Sequence, residues 1–341
     1  MPKTWTDCDI LALANTYQKA CVLAAAVDLD LFAAFANKAG GSGGFSVEEA
    51  TARLHADLRG MTILLDALTA LELLEKDNEE SLYTVPESVA LLLGSDKPGN
   101  VRAMAQHQAN CLRNWAQLGH VVKTGKPAER RESVRGAKSD HEAFIEAMDN
   151  VSAPMAPKII KDLQPLRFKH VLDVGGATGT WALEFLRQNP DLTARATIFD
   201  LPEVIDQAKQ RVAASGLAAR VLLAKGDYLT HELPAGCDLA WVSAIIHSLG
   251  RLQCRELYQR CFQALVPGGQ ILIRDYLMDT SRTTPVGGAL FAINMLVATA
   301  QGNTYSIPEI TADLEAPGFK EVRLPRPDDT MHAVIGARKP S

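Results

Sequence analysis

The chain has 341 residues, 47% hydrophobic and 22% charged, with 35 basic side chains against 40 acidic ones and a net charge of −5. That balance fits a globular protein large enough for two domains and argues against a polyanionic partner. Six cysteines are scattered, with no Cys-x-x-Cys pair and no His/Cys cluster at zinc spacing, so a disulfide framework or a structural zinc site is not expected and reduced thiols fit better.

The opening residues, MPKTWTDCDI, are polar and acidic and do not begin a signal peptide. The apolar run at 20–27 stops at Asp28, short of the roughly 20 residues of a membrane span. The expectation is therefore a soluble, cytoplasmic protein with no membrane partner. From residue 10 to about 163 apolar residues recur at helical spacing. The apolar stretch 10–35 lacks basic flanks and reads as a dimer or core helix, not a membrane-surface one. GGSGG at 40–44 is the one low-complexity patch. Ser46 caps a helix over 47–54, a second helix runs from about 57 to 73, and the polar break KDNEES within 74–85 predicts a hairpin. Helix, helix, hairpin is a winged-helix outline. Between Ser46 and Leu92, however, three basic residues (Arg53, Arg59, Lys76) face ten acidic ones. Phosphate neutralisation needs the opposite sign, so a structural or dimer-forming role is expected, no nucleic acid is expected as partner, and a DNA-binding regulator is the remote alternative.

From Lys169 onward, short β-branched runs alternate with helical segments, the pattern of a wound α/β sheet. Strands are predicted at 171–174, 196–199, 221–224, 239–243, 271–275, 321–324 and 333–337. The last two are separated by too few residues for a crossover helix and should pair antiparallel.

HVLDVGGATGTW at 170–181 places a buried strand, a glycine turn and a helix in succession, the context a nucleotide loop requires. Gly175, Gly176 and Gly179 let the backbone turn and a ligand approach. Asp173 lies inside the strand and needs a partner, either a ligand ammonium or a loop amide. Asp200 ends the second strand, about 20 residues beyond the loop, where a carboxylate reaches ribose hydroxyls. Asp227 ends the third and would accept from an adenine amino group, with Tyr228 flanking the ring. A nicotinamide dinucleotide brings a pyrophosphate, which a carboxylate two residues before the first glycine would repel. S-adenosylmethionine has a zwitterionic tail and no phosphate, so it suits this loop better.

DVGGATG, FDLP at 199–202, GDY at 226–228, IIHS at 245–248 and LVPGGQILIRD at 265–275 follow the order and spacing of class I methyltransferases. With DLDLFAAF, TGKPA at 124–128 and FIEAM at 144–148, the chain resembles the caffeate/hydroxyindole O-methyltransferase family along nearly its whole length. The resemblance implies a winged-helix homodimerisation domain at 1–100, a helical linker at 101–165 contributing to the acceptor pocket, and a Rossmann-like seven-stranded methyltransferase domain at 166–341. It implies that Gly175, Asp200, Leu201, Asp227 and Tyr228 hold S-adenosylmethionine, which leaves as S-adenosylhomocysteine, without a metal. Ser243 stands where the family usually has a basic cofactor-site residue. Phe144, Met148, Asn294 and Met295 would line the pocket for a small-molecule acceptor, with Trp115 a weaker candidate. The family's catalytic histidine falls on His247 and its first supporting carboxylate on Asp275.

The chemistry is consistent with that placement. A phenol is mostly protonated at neutral pH, and a histidine titrates near that pH and can take its proton as methyl transfer proceeds. If the strands before His247 and ending at Asp275 are neighbours, about 5 Å apart, the carboxylate can fix the imidazole tautomer. Two further departures stand out. Thr304 occupies the place of the family's second carboxylate, and Leu249 that of an aromatic residue. They keep open C- or N-methylation, or a cofactor-binding homologue with non-methylating chemistry. Trp181 opens the helix after the glycine loop where smaller residues are usual; packing is its expected role, and narrowing of the methionine end of the pocket is the alternative. The other seven histidines show no metal spacing.

Overall fold

In the computed structural model the described residues are 3–38, 43–77, 79–97 and 99–341. Gly40, Gly41 and Ser42 of the GGSGG loop and Asn78 of the KDNEES break lie outside them. The chain divides into two compact units, residues 1–116 with 129–151, and residues 117–128 with 152–341.

The first unit begins with α1 (Asp7–Ala14), α2 (Tyr17–Asp28) and α3 (Leu31–Phe35), followed by α4 (Val47–Leu54) and α5 (Leu58–Ala70). The side-chain oxygen of Ser46 accepts from the backbone N–H of Glu49 (3.2 Å), so the predicted cap starts its helix, and Asp57 caps the next by accepting from the Gly60 N–H (2.8 Å). The hairpin of β1 (Glu75–Asp77) and β2 (Leu82–Thr84) pairs Lys76 with Tyr83. Next come α6 (Glu87–Val89), continued by one π turn, and α7 (Arg102–Trp115). Phe32, Phe35, Phe45, Leu65, Leu68 and Tyr83 form the unit's core. The residues 7–28 are long and apolar enough, by length and composition, to cross a membrane, a longer stretch than the run at 20–27 suggests. They form two helices, and Ile10, Leu11, Leu13 and Tyr17 are all exposed by more than half.

α8 (Leu118–Thr124) belongs to the second unit, and α9 (Ala137–Asp162) carries the boundary between the units within it. The strands of the main sheet are β3 (His170–Val174), β4 (Arg195–Asp200), β5 (Val221–Lys225), β6 (Cys237–Ser243), β7 (Leu265–Asp275), β10 (Lys320–Arg326) and β11 (Ala333–Arg338). Between β7 and β10 a two-residue parallel pair forms from β8 (Leu277–Met278) and β9 (Tyr305–Ser306). The helices are α10 (Thr180–Gln188), α11 (Pro202–Ala214), α12 (Arg251–Ala264), α13 (Val286–Ala298) and α14 (Ile307–Glu315). All seven predicted strands are present, and β10 and β11 pair antiparallel as expected. β7 starts six residues earlier than predicted. Its added segment carries Pro267 and Gly268 (φ +78°), which read as a turn, and its ladder with β6 slips in register there.

The strand order β10-β11-β7-β6-β3-β4-β5 places the site. From β3 the chain winds outward through β4 and β5, then crosses back to lay β6 on the other side of β3. That reversal opens a crevice above the carboxyl ends of β3 and β6. Val174, Asp200, Lys225, Ser243 and Asp275 end the five parallel strands around it.

Candidate active site

The glycine turn is held from below. Gly175 and Gly176 donate their N–H groups to the Phe199 carbonyl (2.8 and 3.4 Å), tying the turn to the end of β4. Gly175 has φ +63°, and a Cβ there would stand 2.6 Å from Ile245 Cδ1. At Gly176 it would stand 2.8 Å from the Asp173 carboxyl carbon, so neither position tolerates a side chain. Gly179, at φ +82°, caps α10. Asp173 is 1% exposed; its Oδ2 accepts from the Ala182 N–H (3.1 Å), and its Oδ1 is buried without a hydrogen-bond partner among the described residues. The partner is thus a first-turn amide of α10 instead of an amide of the loop, and it satisfies one oxygen only.

Burial pushes the Asp173 carboxyl up to about 7, against the Ala182 amide and with help from the Asp200 charge. A carboxyl raised in the folded state stabilises the protonated protein. That contribution is complete below the unfolded value of about 3.9 and is lost as pH rises to about 7. The wild type is therefore expected to lose on the order of 4 kcal/mol of stability across that window, and Asp173→Asn to flatten the profile. Denaturant unfolding at stepped pH tests this; parallel profiles for the two proteins would contradict it.

Asp200 ends β4, is 9% exposed and accepts from Ala177 N–H (2.8 Å) and Leu201 N–H (2.7 Å). Each oxygen therefore keeps a lone pair for a ligand hydroxyl. Burial raises its pKa, opposed by those two amides. Leu201, exposed, precedes α11. Asp227 and Tyr228 follow β5 and are half-buried; Asp227 Oδ1 accepts from Leu229 N–H (2.8 Å). The Tyr228 ring edge lies 3.5 Å from where a Gly175 Cβ would be, which brings it against the glycine turn. Burial pushes the Tyr228 hydroxyl up to about 12, keeping it a neutral surface for a flat ring. Ser243, ending β6, accepts from Arg274 Nε through its Oγ (2.7 Å).

His247 lies on a 3-10 turn, Ile246–Ser248, after β6, and Asp275 ends the neighbouring β7. The two side chains meet: His247 Nδ1 is 2.9 Å from both Asp275 oxygens. Asp275 is 1% exposed and also accepts from the Tyr276 N–H (2.8 Å). An ionised carboxylate accepts only, so Nδ1 carries the proton and donates, leaving the Nε2 lone pair as the basic position. The Phe291 ring stands edge-on to the imidazole, with ring centres 4.8 Å apart. Behind it, the His247 carbonyl accepts from Asn303 N–H (2.9 Å), and a Cβ at Gly302 would come within 2.5 Å of that carbonyl. Thr304, next in that segment, is 3% exposed and donates its hydroxyl to the Gly288 carbonyl (3.3 Å), which gives it no role as a base.

Asn294 and Met295 lie on α13 in the second unit, Met295 buried and Asn294 half-buried. Trp115, Phe144 and Met148 belong to the first unit: Trp115 ends α7, and the other two stand one turn apart on α9. Phe144 is 43% exposed and packs its ring 5.2 Å from His107, whose pKa burial lowers. His107, Phe291 and Arg274 were not singled out from the sequence. Phe291 precedes Asn294 by three residues and so shares its helix face, a spacing that could have revealed it. Among the described residues no three His, Cys, Asp or Glu are grouped to hold a metal.

Comparison with known proteins bears on this arrangement. A family profile described as O-methyltransferase domain matches residues 115–320, and one described as O-methyltransferase dimerisation domain matches residues 11–95. The chain is 33% identical over 337 residues to the tetracenomycin polyketide synthesis 8-O-methyl transferase TcmO of Streptomyces glaucescens, covering 97% of this chain and 96% of the other. It is 32% identical over 322 residues to the 3-hydroxy-5-methyl-1-naphthoate 3-O-methyltransferase of Streptomyces sahachiroi, covering 92% and 90%. Its structure is similar to human N-acetylserotonin methyltransferase in complex with SAM, with a TM-score of 0.81, 24% identity and 100% of both chains covered.

Proposed function

The chain belongs to the O-methyltransferase family, and from that premise we propose that its crevice methylates a hydroxyl of a small aromatic or polyketide-like acceptor, with His247 as the base. It is an S-adenosylmethionine-dependent O-methyltransferase and a homodimer. Both sequence relatives named above are O-methyltransferases, one of polyketide synthesis and one acting on a hydroxynaphthoate, which supports the acceptor class.

The residues around the glycine turn fit the cofactor. The orphaned, buried Asp173 Oδ1 suits an ammonium, the open lone pairs of Asp200 suit ribose hydroxyls, and Tyr228 against Gly175 suits a flat base, with Asp227 and Leu201 beside it. Bound there, S-adenosylmethionine supplies a sulfonium methyl group for in-line displacement. Removing the Asp200 carboxylate (Asp200→Ala) is expected to weaken binding of S-adenosylhomocysteine by roughly 1–3 kcal/mol, about 5- to 160-fold. Unchanged affinity by titration calorimetry would remove Asp200 from the site.

The observation that carries the reading is the His247–Asp275 pair at 2.9 Å. With Nδ1 committed to Asp275, Nε2 accepts the hydroxyl proton as the oxygen becomes nucleophilic. Asn294 and Met295 contribute to acceptor binding in this proposal, and Phe291, on the same helix, joins them through its contact with His247. The test is incubation with methyl-deuterated S-adenosylmethionine and a panel of monohydroxylated naphthoates and polycyclic phenols. A product carrying the label on oxygen is expected. Labelling on nitrogen or carbon, or no product across the panel with cofactor bound, would reject the assignment.

In the same proposal the enzyme is cytoplasmic and the exposed face of α1 and α2 packs on the second protomer, since the dimerisation profile begins at residue 11. Leu11→Glu with Leu13→Glu should raise the dimer dissociation constant at least about 100-fold in sedimentation, because two apolar side chains leave the interface and two charges enter it. An unaltered dimer, or binding of the wild type to lipid vesicles, would contradict this placement.

A further inference from the structure

β7 ends in two charged residues that leave opposite faces of the sheet. Asp275 turns to His247. Arg274 turns to the face walled by Leu272, Trp241 and Trp181, and it is 2% exposed. Among the described residues no carboxylate lies within 4.0 Å of its guanidinium. Its partners are neutral: Nε donates to Ser243 Oγ (2.7 Å), Nη1 to His332 Nδ1 (2.9 Å) and more weakly to the Met331 carbonyl (3.4 Å), and the Trp181 ring covers it at 4.7 Å. Burial pushes the Arg274 pKa down to about 10, and burial together with that cation pushes His332 down to about 4, so His332 is neutral and accepts. A buried cation whose hydrogen bonds all go to neutral groups is costly and calls for an anion; the Asp275 carboxylate, next along β7, acts on it only at a distance and is itself committed to His247 and the Tyr276 N–H.

The register shows where that anion would come from. Ser243 pairs with Arg274 and Val242 with Val174, so Ser243 stands level with Gly175, the first residue of the glycine turn, one strand away. Trp181 belongs to the first turn of α10, which that glycine turn begins. The side chains that orient Arg274 therefore spring from the rim of the cofactor crevice. Of the other charged groups named around that crevice, Asp173, Asp200, Asp227 and Asp275 are acidic and repel a carboxylate, and the one cation, Lys225 at the end of β5, is exposed and paired with Asp206 (3.0 Å).

We infer that Arg274, aimed by Ser243 and Trp181, binds the carboxylate of the cofactor's amino-acid tail. The inference rests on the S-adenosylmethionine reading above. The competing role is a strut that only anchors the loop between β10 and β11 through His332.

Calorimetry with two ligands separates them: S-adenosylhomocysteine, and its decarboxylated analogue S-adenosyl-3-thiopropylamine, which keeps the amine and nucleoside and lacks only the carboxylate. The wild type is expected to prefer S-adenosylhomocysteine by about 10- to 100-fold, the range of a charge-assisted hydrogen bond. Arg274→Met should shrink that preference to within about threefold, and Arg274→Lys should restore much of it. If Arg274→Met weakens both ligands alike and leaves their ratio unchanged, Arg274 is a strut and the inference fails. Equal binding of the two ligands by the wild type overturns it without any variant. Failure of S-adenosylhomocysteine itself to bind would overturn the cofactor reading as well.

Discussion

Replacing His247 with alanine is expected to lower kcat by about 10²–10⁴-fold, the range that a positioned general base contributes, while leaving affinity for S-adenosylhomocysteine within about twofold. The separation follows from the topology. The glycine turn, Asp200 and Tyr228 are set by β3, β4 and β5, whereas His247 and Asp275 are set by β6 and β7, where Arg274 leaves the opposite face of the sheet from Asp275. Losing the imidazole removes the proton acceptor without disturbing the groups assigned to the cofactor. Single-turnover methyl transfer and calorimetry on the same preparation measure both quantities. A variant that retains kcat, or one that loses cofactor affinity in parallel, would show that His247 serves packing and not proton transfer.

Asp275→Asn should be nearly as damaging, although it changes one atom. The Asp275 carboxylate accepts from Tyr276 N–H and presents both oxygens to His247 Nδ1. An asparagine has one oxygen, and Tyr276 N–H claims it. The amide nitrogen then stands where Oδ2 stood, 2.9 Å from Nδ1, and can only donate, which favours the tautomer with the proton on Nε2 over the one the carboxylate holds. An imidazole protonated at Nε2 cannot accept there. The expected loss in kcat is about 10²–10⁴-fold with little change in melting temperature. A variant within about fivefold of wild type would mean that the carboxylate does not set the tautomer.

The parts of this architecture that sequence reveals are those encoded locally. Strands β3 to β7 announce themselves as apolar β-branched runs, and Asp173, Asp200 and Asp227 are found because strand ends and turns are local features. His247 and Asp275 were legible for a different reason: a parallel sheet that places β6 beside β7 forces their ends together, so position predicts contact. What stayed hidden depends on side chains meeting through space. Arg274 looks like an ordinary strand charge, and only alternation along β7, with Trp181 from a distant helix, reveals it as buried. Phe291 touches His247 across 44 positions of sequence. The β8–β9 pair has two residues per strand, too few for periodicity to register. Thr304 shows the opposite case. Sequence marks it as a departure at a catalytic position, and the structure gives its hydroxyl a backbone partner, leaving a single carboxylate–histidine pair for the proton.

The central claim, that His247 removes the acceptor proton, is tested most directly with acceptors whose hydroxyl pKa values straddle the assay pH. Single-turnover methyl transfer is measured for wild type and His247→Ala across that series. If the imidazole takes the proton, the defect of the variant is large for acceptors that are protonated at the assay pH and shrinks toward unity for those already ionised. A defect of the same size for every acceptor would contradict the assignment.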